Sequence, residues 1–203
     1  RLRCDWSSDV CSSDLENEML FILDEVQTGI GITGKWWAHQ HFSVKPDIIS
    51  FGKKTQVCGL LAGRRVEEVK NHVFSESSRI NSTFGGNLVD MVRFQIILEI
   101  IEQEKLLENA KTMGEFLLGE MRNLAEEFPA YVTNPRGLGL FAAFDLPSQT
   151  ERDKVIAGLL KNKLLMLPSG DNAIRFRPHL NVAREDLTTA LEIINSTIKA
   201  TLN

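Results

Sequence analysis

Two short apolar runs constrain this chain more than any other feature. Residues 19–25 (MLFILDE) are almost continuously apolar and stop on two acids, and residues 47–54 (DIISFGKK) stop on a glycine and two lysines. An apolar run of this length without alternation predicts a strand buried on both faces, the habit of parallel sheets covered by helices. The polar residues at the carboxyl ends matter as much as the runs. In open α/β sheets, ligands bind in the crevice outside those ends.

Composition narrows the classes. The 203 residues are 43% hydrophobic and 25% charged, with a net charge of −4. That is globular composition and excludes wholesale disorder. No apolar run approaches the eighteen or so residues of a membrane span, so no membrane association is expected. The acidic balance, without a basic stripe, argues against nucleic acid as a partner. Three cysteines do not make a disulfide scaffold. His72 and His179 lack partners at metal-ligand spacing, and no metal is assigned. The expectation is a soluble cytoplasmic enzyme or a piece of one.

Residues 1–15 stand apart. They are rich in Ser, Asp and Cys, follow neither a helical nor a strand period, and lack the apolar core of a signal peptide. Trp6 to Asp14 back-translates to TGG-AGT-TCA-GAC-GTG-TGC-TCT-TCC-GAT, a string resembling a common sequencing-library adapter. This segment is read as non-native, with native sequence expected from near Glu16 and Cys58 as the single native cysteine.

Further along, residues 34–42 predict a short helix and VCGLLAGRR a short strand pair. NSTFGGN (81–87) is a turn-forming loop that opens a long helix. Apolar residues at a period near 3.6 carry that helix over 88–124, with Gly114 and Gly119 as candidate interruptions. Residues 136–146 (RGLGLFAAFDL) predict a strand, and Ser148 with Glu151 forms a capping box for a helix through Lys163. LLMLPS and AIRFRPHL predict two more strands. Asn181 is placed to cap a final helix from Arg184 to Ala200.

Four elements carry polar chemistry: Asp24-Glu25 after the first strand, Gly52-Lys53-Lys54 after the second, the Ser82/Thr83/Gly85/Gly86 loop, and Arg175 with Arg177 on a late strand. Each alone is commonplace, as a cap, a solvated surface pair or a turn. In this order and spacing the chain resembles the class III (ω-amino acid) aminotransferases, which bind pyridoxal phosphate. LDEVQTGIGITGKWWA, PDIISFGK, NSTFGGN, RGLGL and IRFRPHL carry the resemblance, over about residues 18–201. Within that family, FGKKTQVCG, HQHF-x-VKPD and RINSTFGGNLVDMVR are most similar to the lysine 6-aminotransferases.

The resemblance implies a set of roles. Lys53 matches the catalytic lysine that forms a Schiff base with pyridoxal 5'-phosphate; the adjacent Lys54 is the competitor. Asp24 matches the carboxylate that keeps the pyridine nitrogen protonated, which calls for a buried strand end. Gln27 meets the ring's phenolic oxygen. Thr83 donates to the cofactor phosphate across a homodimer, and its hydroxyl and the nearby glycine amides suit a dianion. Arg175 grips a substrate carboxylate with a bidentate fork, with Asn81 as a looser substrate contact and Arg177 as a structural neighbour. The implied reaction moves the ε-amine of L-lysine to 2-oxoglutarate and leaves 2-aminoadipate 6-semialdehyde and glutamate. The alternatives are an ornithine- or 4-aminobutyrate-type enzyme, or an inactive fragment.

Other candidates have plain structural readings. Glu25 is expected to bond backbone, Cys58 to be a small buried apolar residue, and Trp36 and Trp37 to be core or interface anchors. His39 and His41 are read as packing residues. Ile32 stands where many relatives have Arg, and Phe84 where lysine-specific ones have Trp.

The implied fold is α/β, the C-terminal part of a fold-type I transferase. Residues 16–98 would be the end of the large cofactor-binding domain with its mixed sheet. Residues 99–125 would be a long connecting helix, and 126–203 the small C-terminal α+β domain. The family's phosphate-cradling loop, ring-stacking aromatic and arginine-pairing glutamate have no counterpart here, so the chain alone is expected to expose strand edges and to bind cofactor poorly.

Overall fold

The structure is a computed structural model that describes residues 16–80 and 83–202. The chain divides into two compact units. The first is residues 16–30 and 35–104; the second is residues 31–34 and 105–202.

The first unit is built on a three-stranded mixed sheet of β1 (Ile22–Asp24), β2 (Ile48–Phe51) and β3 (Gly59–Ala62), in that order. The two apolar runs are indeed parallel neighbours, with Ile22 opposite Ile48 and Asp24 opposite Ser50. β3 returns antiparallel to β2 as a single strand, where the sequence suggested a pair. The helix expected over 34–42 is only a 3-10 turn, Ala38–His41. Phe51 fills a slot over Gly59, where a Cβ would lie 2.4 Å from its ring. It stacks on Phe94 at 5.3 Å and meets the edge of Trp37 at 6.1 Å.

The single helix expected over 88–124 is two helices. α1 (Leu88–Gln103) is capped by Asn87, whose Oδ1 accepts from the Val89 amide at 2.8 Å. α2 (Leu106–Glu127) begins after Lys105, which is left-handed at φ 52. The break falls at a residue of good helix propensity, so no local signal marks it. Gly114 and Gly119 lie within α2 and interrupt nothing. α1 carries apolar residues on more than one side and leaves Leu88, Val89, Val92 and Ile96 exposed.

The second unit is a four-stranded antiparallel sheet, in the order β4 (Thr133–Leu138), β5 (Phe141–Asp145), β7 (Ala173–Phe176), β6 (Leu167–Ser169). The strand expected over 136–146 is the β4–β5 hairpin, because Gly139 takes φ +55 and turns the chain. One face buries the cross-strand pairs Ala142–Phe176 and Phe144–Ile174. With them Leu117 and Met121 of α2, Leu159 of α3 (Gln149–Lys161), and Ile194 and Ile198 of α4 (Arg184–Leu202) are fully buried. Ser148 caps α3 as predicted and accepts from the Glu151 amide at 3.3 Å. Asn181 does not cap α4. Its Oδ1 meets His179 Nδ1 at 2.9 Å, while the Asp186 carboxylate accepts from the Ala183 amide.

Residues 31–34 are threaded into this second unit. Ile32 is fully buried and its carbonyl accepts from the Leu140 amide at 2.8 Å. An apolar side chain suits that enclosure, which gives the departure at this position a physical account.

Candidate active site at the strand ends

β1 and β2 run parallel and in register, so their carboxyl ends emerge side by side. Their last shared ladder bond is from the Glu25 amide to the Ser50 carbonyl, at 3.0 Å. Asp24 Oδ1 accepts from the Val26 amide at 2.9 Å and from the Ser50 hydroxyl at 3.0 Å. The Val26 bond first, then Ser50, hold its carboxyl below the ordinary aspartate value, and the charge of Lys53 adds to this against a small opposing desolvation. The expected burial of Asp24 is not found. Among the described residues β1 pairs with β2 alone; Asp24 is exposed and Ile22 of the same strand is 58% exposed.

Glu25 faces the other way and is 3% exposed. It takes the amides of Ala38 and His39 at 2.6 and 2.9 Å, the Thr28 hydroxyl at 3.2 Å and His39 Nδ1 at 2.9 Å. A buried carboxylate with four donors is satisfied, and it caps the 3-10 turn, the backbone role expected of it. His39 is its partner rather than a simple packing residue.

The lysine turn follows β2 directly. Lys53–Thr55 is a 3-10 turn closed by the Gln56 amide on the Lys53 carbonyl at 3.0 Å. Lys53 and Gln56 both lie in the left-handed region, at φ 47 and φ 55. Such positions cost non-glycine residues of order 1 kcal/mol each and persist where surrounding structure enforces them. Here Thr55 enforces it, fully buried with its hydroxyl on the Val57 carbonyl at 2.7 Å. Cys58, expected buried, is exposed; it directly precedes β3, an outer strand of the described sheet. Its Sγ leaves no room for a Cβ at Gly52, which would approach to 2.9 Å.

The two adjacent lysines part company at once. Lys54 Nζ donates to the Gln27 carbonyl at 2.8 Å. Lys53 is exposed, and its Nζ makes no hydrogen bond or ion pair with any described residue. Asp24, Lys53, Lys54 and Gln27 thus share one strand-end region. Thr83 is exposed in the turn ahead of α1. Asn81 lies outside the described residues. Arg175 belongs to the second unit, between Ala143 and Leu167 in register on the face opposite the Phe144–Ile174 row. A cavity of about 340 Å³ there is lined by Arg175, Arg177 and Asp186 among apolar neighbours such as Leu187. Ser50 and its bond to Asp24 had no mark in the sequence, since the in-register pairing of the strands creates the contact.

The sequence family described as aminotransferase class-III matches residues 6–198. The chain belongs to the class III aminotransferases. It is 50% identical over 183 residues to an L-lysine-epsilon aminotransferase of Mycobacterium tuberculosis, covering 90% of this chain and 41% of that one. It is 44% identical over 186 residues to the L-lysine-epsilon aminotransferase of Streptomyces clavuligerus, covering 91% and 41%. A solved lysine aminotransferase from M. tuberculosis in the internal aldimine form superposes with a TM-score of 0.91 at 47% identity, covering 95% of this chain and 44% of that one. The chain therefore spans about two-fifths of the length of these relatives.

The architecture is that of part of a fold-type I, pyridoxal-phosphate-dependent transferase. The strand-end residues fit that cofactor. A carboxylate held in its charged form by two hydrogen bonds suits a protonated ring nitrogen, although Asp24 lacks the burial that role calls for, and a lysine amine not committed to another side chain suits an aldehyde. Among the described residues no helix is long and apolar enough to cross a membrane.

Proposed function

We propose that this chain is the lysine-bearing part of an aminotransferase that moves the ε-amino group of L-lysine to 2-oxoglutarate, giving 2-aminoadipate 6-semialdehyde and glutamate. The observation that supports the reading is that Asp24 and Lys53 stand at adjacent strand ends, in a chain 50% identical to an L-lysine-epsilon aminotransferase of M. tuberculosis. When bound, pyridoxal phosphate supplies an electron sink for a carbanion at the amino-bearing carbon. Lys53 Nζ is the covalent anchor and the carrier of the proton at that carbon. Its lack of other bonds supports this choice over Lys54. The Asp24 carboxylate keeps a ring nitrogen charged, and its depressed proton affinity means that it stays an anion throughout the working range. Gln27 orients the ring from the next turn. Thr83 and the glycines beside it hold phosphate for the second subunit of a homodimer. Arg175 takes the carboxylate of the amino donor or the keto acid, a task suited to a planar fork, with Asn81 as a further substrate contact.

The test is a substrate panel on the longest open reading frame that contains this chain. L-lysine, L-ornithine and 4-aminobutyrate are offered with 2-oxoglutarate, and glutamate is measured. Lysine is expected to be the preferred donor, and Lys53→Ala to abolish both turnover and the borohydride-trapped cofactor. Preference for ornithine or 4-aminobutyrate would overturn the substrate, and a cofactor trapped on Lys54 would overturn the site.

A further inference from the structure

The geometry points to Lys54 as a positioning residue that clamps the turn after β1 to the turn after β2, and so sets the spacing of Gln27 and Asp24 about Lys53. Beyond the bond from the Glu25 amide to the Ser50 carbonyl the ladder has ended, and the two turns diverge. Four residues past Ser50, the Lys54 ammonium reaches back and donates to the Gln27 carbonyl at 2.8 Å, in a partly buried setting. The far side of the same turn is already anchored. The Gly29 amide closes on the Glu25 carbonyl at 2.8 Å, and the Glu25 carboxylate binds Thr28, Ala38 and His39. The 25–29 turn is thereby held from two directions, by a carboxylate against the 3-10 turn and by an ammonium against the lysine turn.

A charged donor is suited to the second job. A charge-assisted bond is shorter and stronger than a neutral one, and the long stem lets the head span two turns while Lys53, one residue earlier, stays uncommitted. The inference rests on the reading of Lys53 and Gln27 as site residues, and its test keeps the two separable.

The experiment uses the full chain. Lys54→Met keeps the stem and removes the donor; Lys54→Arg restores a charged donor. Amide hydrogen exchange is read at Val26–Gly29, with the β4–β5 hairpin as an internal control, and pyridoxal phosphate is trapped with borohydride at limiting cofactor and mapped to a peptide. Lys54→Met is expected to speed exchange at Val26–Gly29 by about tenfold, the scale of one charged hydrogen bond, while the hairpin is unmoved. Trapping on Lys53 is expected to fall several-fold with a melting temperature lowered by only a few degrees, and Lys54→Arg to recover both. Should Lys54→Met not fold, Lys54→Gln is read instead, with exchange expected between those of wild type and the methionine variant. Unchanged exchange in the methionine variant, or no recovery with arginine, overturns the positioning role. Trapping that persists at Lys54 in Lys53→Ala overturns the site reading instead. If no variant traps cofactor, the exchange data decide the clamp by themselves.

Discussion

Gly114 and Gly119 offer the same substitution in one helix with opposite consequences. A Cβ built on Gly114 would lie 2.2 Å from the carbonyl carbon of Gly139 and 2.3 Å from its Cα and its oxygen. Ordinary contact begins near 3.4 Å, so α2 and the β4–β5 turn would have to separate by roughly 1 Å. The obstacle is backbone, which no rotamer change relieves. Gly139 cannot retreat, since its own Cα region lies against the Ile32 carbonyl and Thr33, and the Leu140 amide bonds the Ile32 carbonyl. Overpacking costs about 1–3 kcal/mol, and more where backbone must move; the helix-propensity gain of alanine over glycine returns about 1 kcal/mol. Gly114→Ala should therefore destabilise the second unit by about 2 kcal/mol. Gly119 has nothing within 4 Å of its Cβ position, so Gly119→Ala should keep the whole propensity gain. The two variants should differ by about 3 kcal/mol, which at a urea slope of about 1–3 kcal/mol/M is a midpoint separation of about 1 M or more. Urea unfolding followed by far-UV circular dichroism measures it. Variants of equal stability, or Gly114→Ala as stable as wild type, would refute the close approach of α2 to the hairpin.

Three further outcomes follow from single contacts. Asn109 Nδ2 donates to the Leu180 and Val182 carbonyls at 2.7 and 3.1 Å, so Asn109→Ala should cost about 1–3 kcal/mol in urea unfolding. The Asp24 carboxyl has a folded pKa below its ordinary one, so its contribution to stability is complete above the ordinary value near 3.8 and fades as pH falls through the folded value. Asp24→Asn should therefore flatten the acid limb of a stability–pH curve and leave its slope between pH 6 and 8 unchanged. Cys58 is exposed, so a thiol reagent should label its peptide in the native chain without denaturant, and protection there would contradict an open β3 edge.

What could be read before folding was whatever chemistry writes into local order. The apolar runs ending in Asp24-Glu25 and Gly52-Lys53-Lys54 announced parallel strands with polar exits, although the burial on both faces expected of them is not found in β1, where Ile22 is exposed. Ser148 announced a helix start, because a cap is a contact of a few residues' reach, and the 81–87 loop marked where α1 opens. The class III family was legible in those motifs taken in order. The errors share one cause. Residue 105 is a lysine, fluent in a helix, yet it breaks one. Gly139 folds a predicted strand into a hairpin, and Asn181 gives up its cap to bond His179.

Pairing of distant segments decided the rest. Ser50 reaches Asp24 only because β1 and β2 align in register. Asp24 and Cys58 are exposed where Asp24 ends β1 and Cys58 precedes β3, the outer strands of the described sheet. Lys54 and Lys53 are indistinguishable as residue types, and a carbonyl 27 positions away separates them. Local sequence sets which conformations and charges are available to each segment. Which of them meet is a property of packing between segments far apart in the chain, and no window of neighbouring residues contains it.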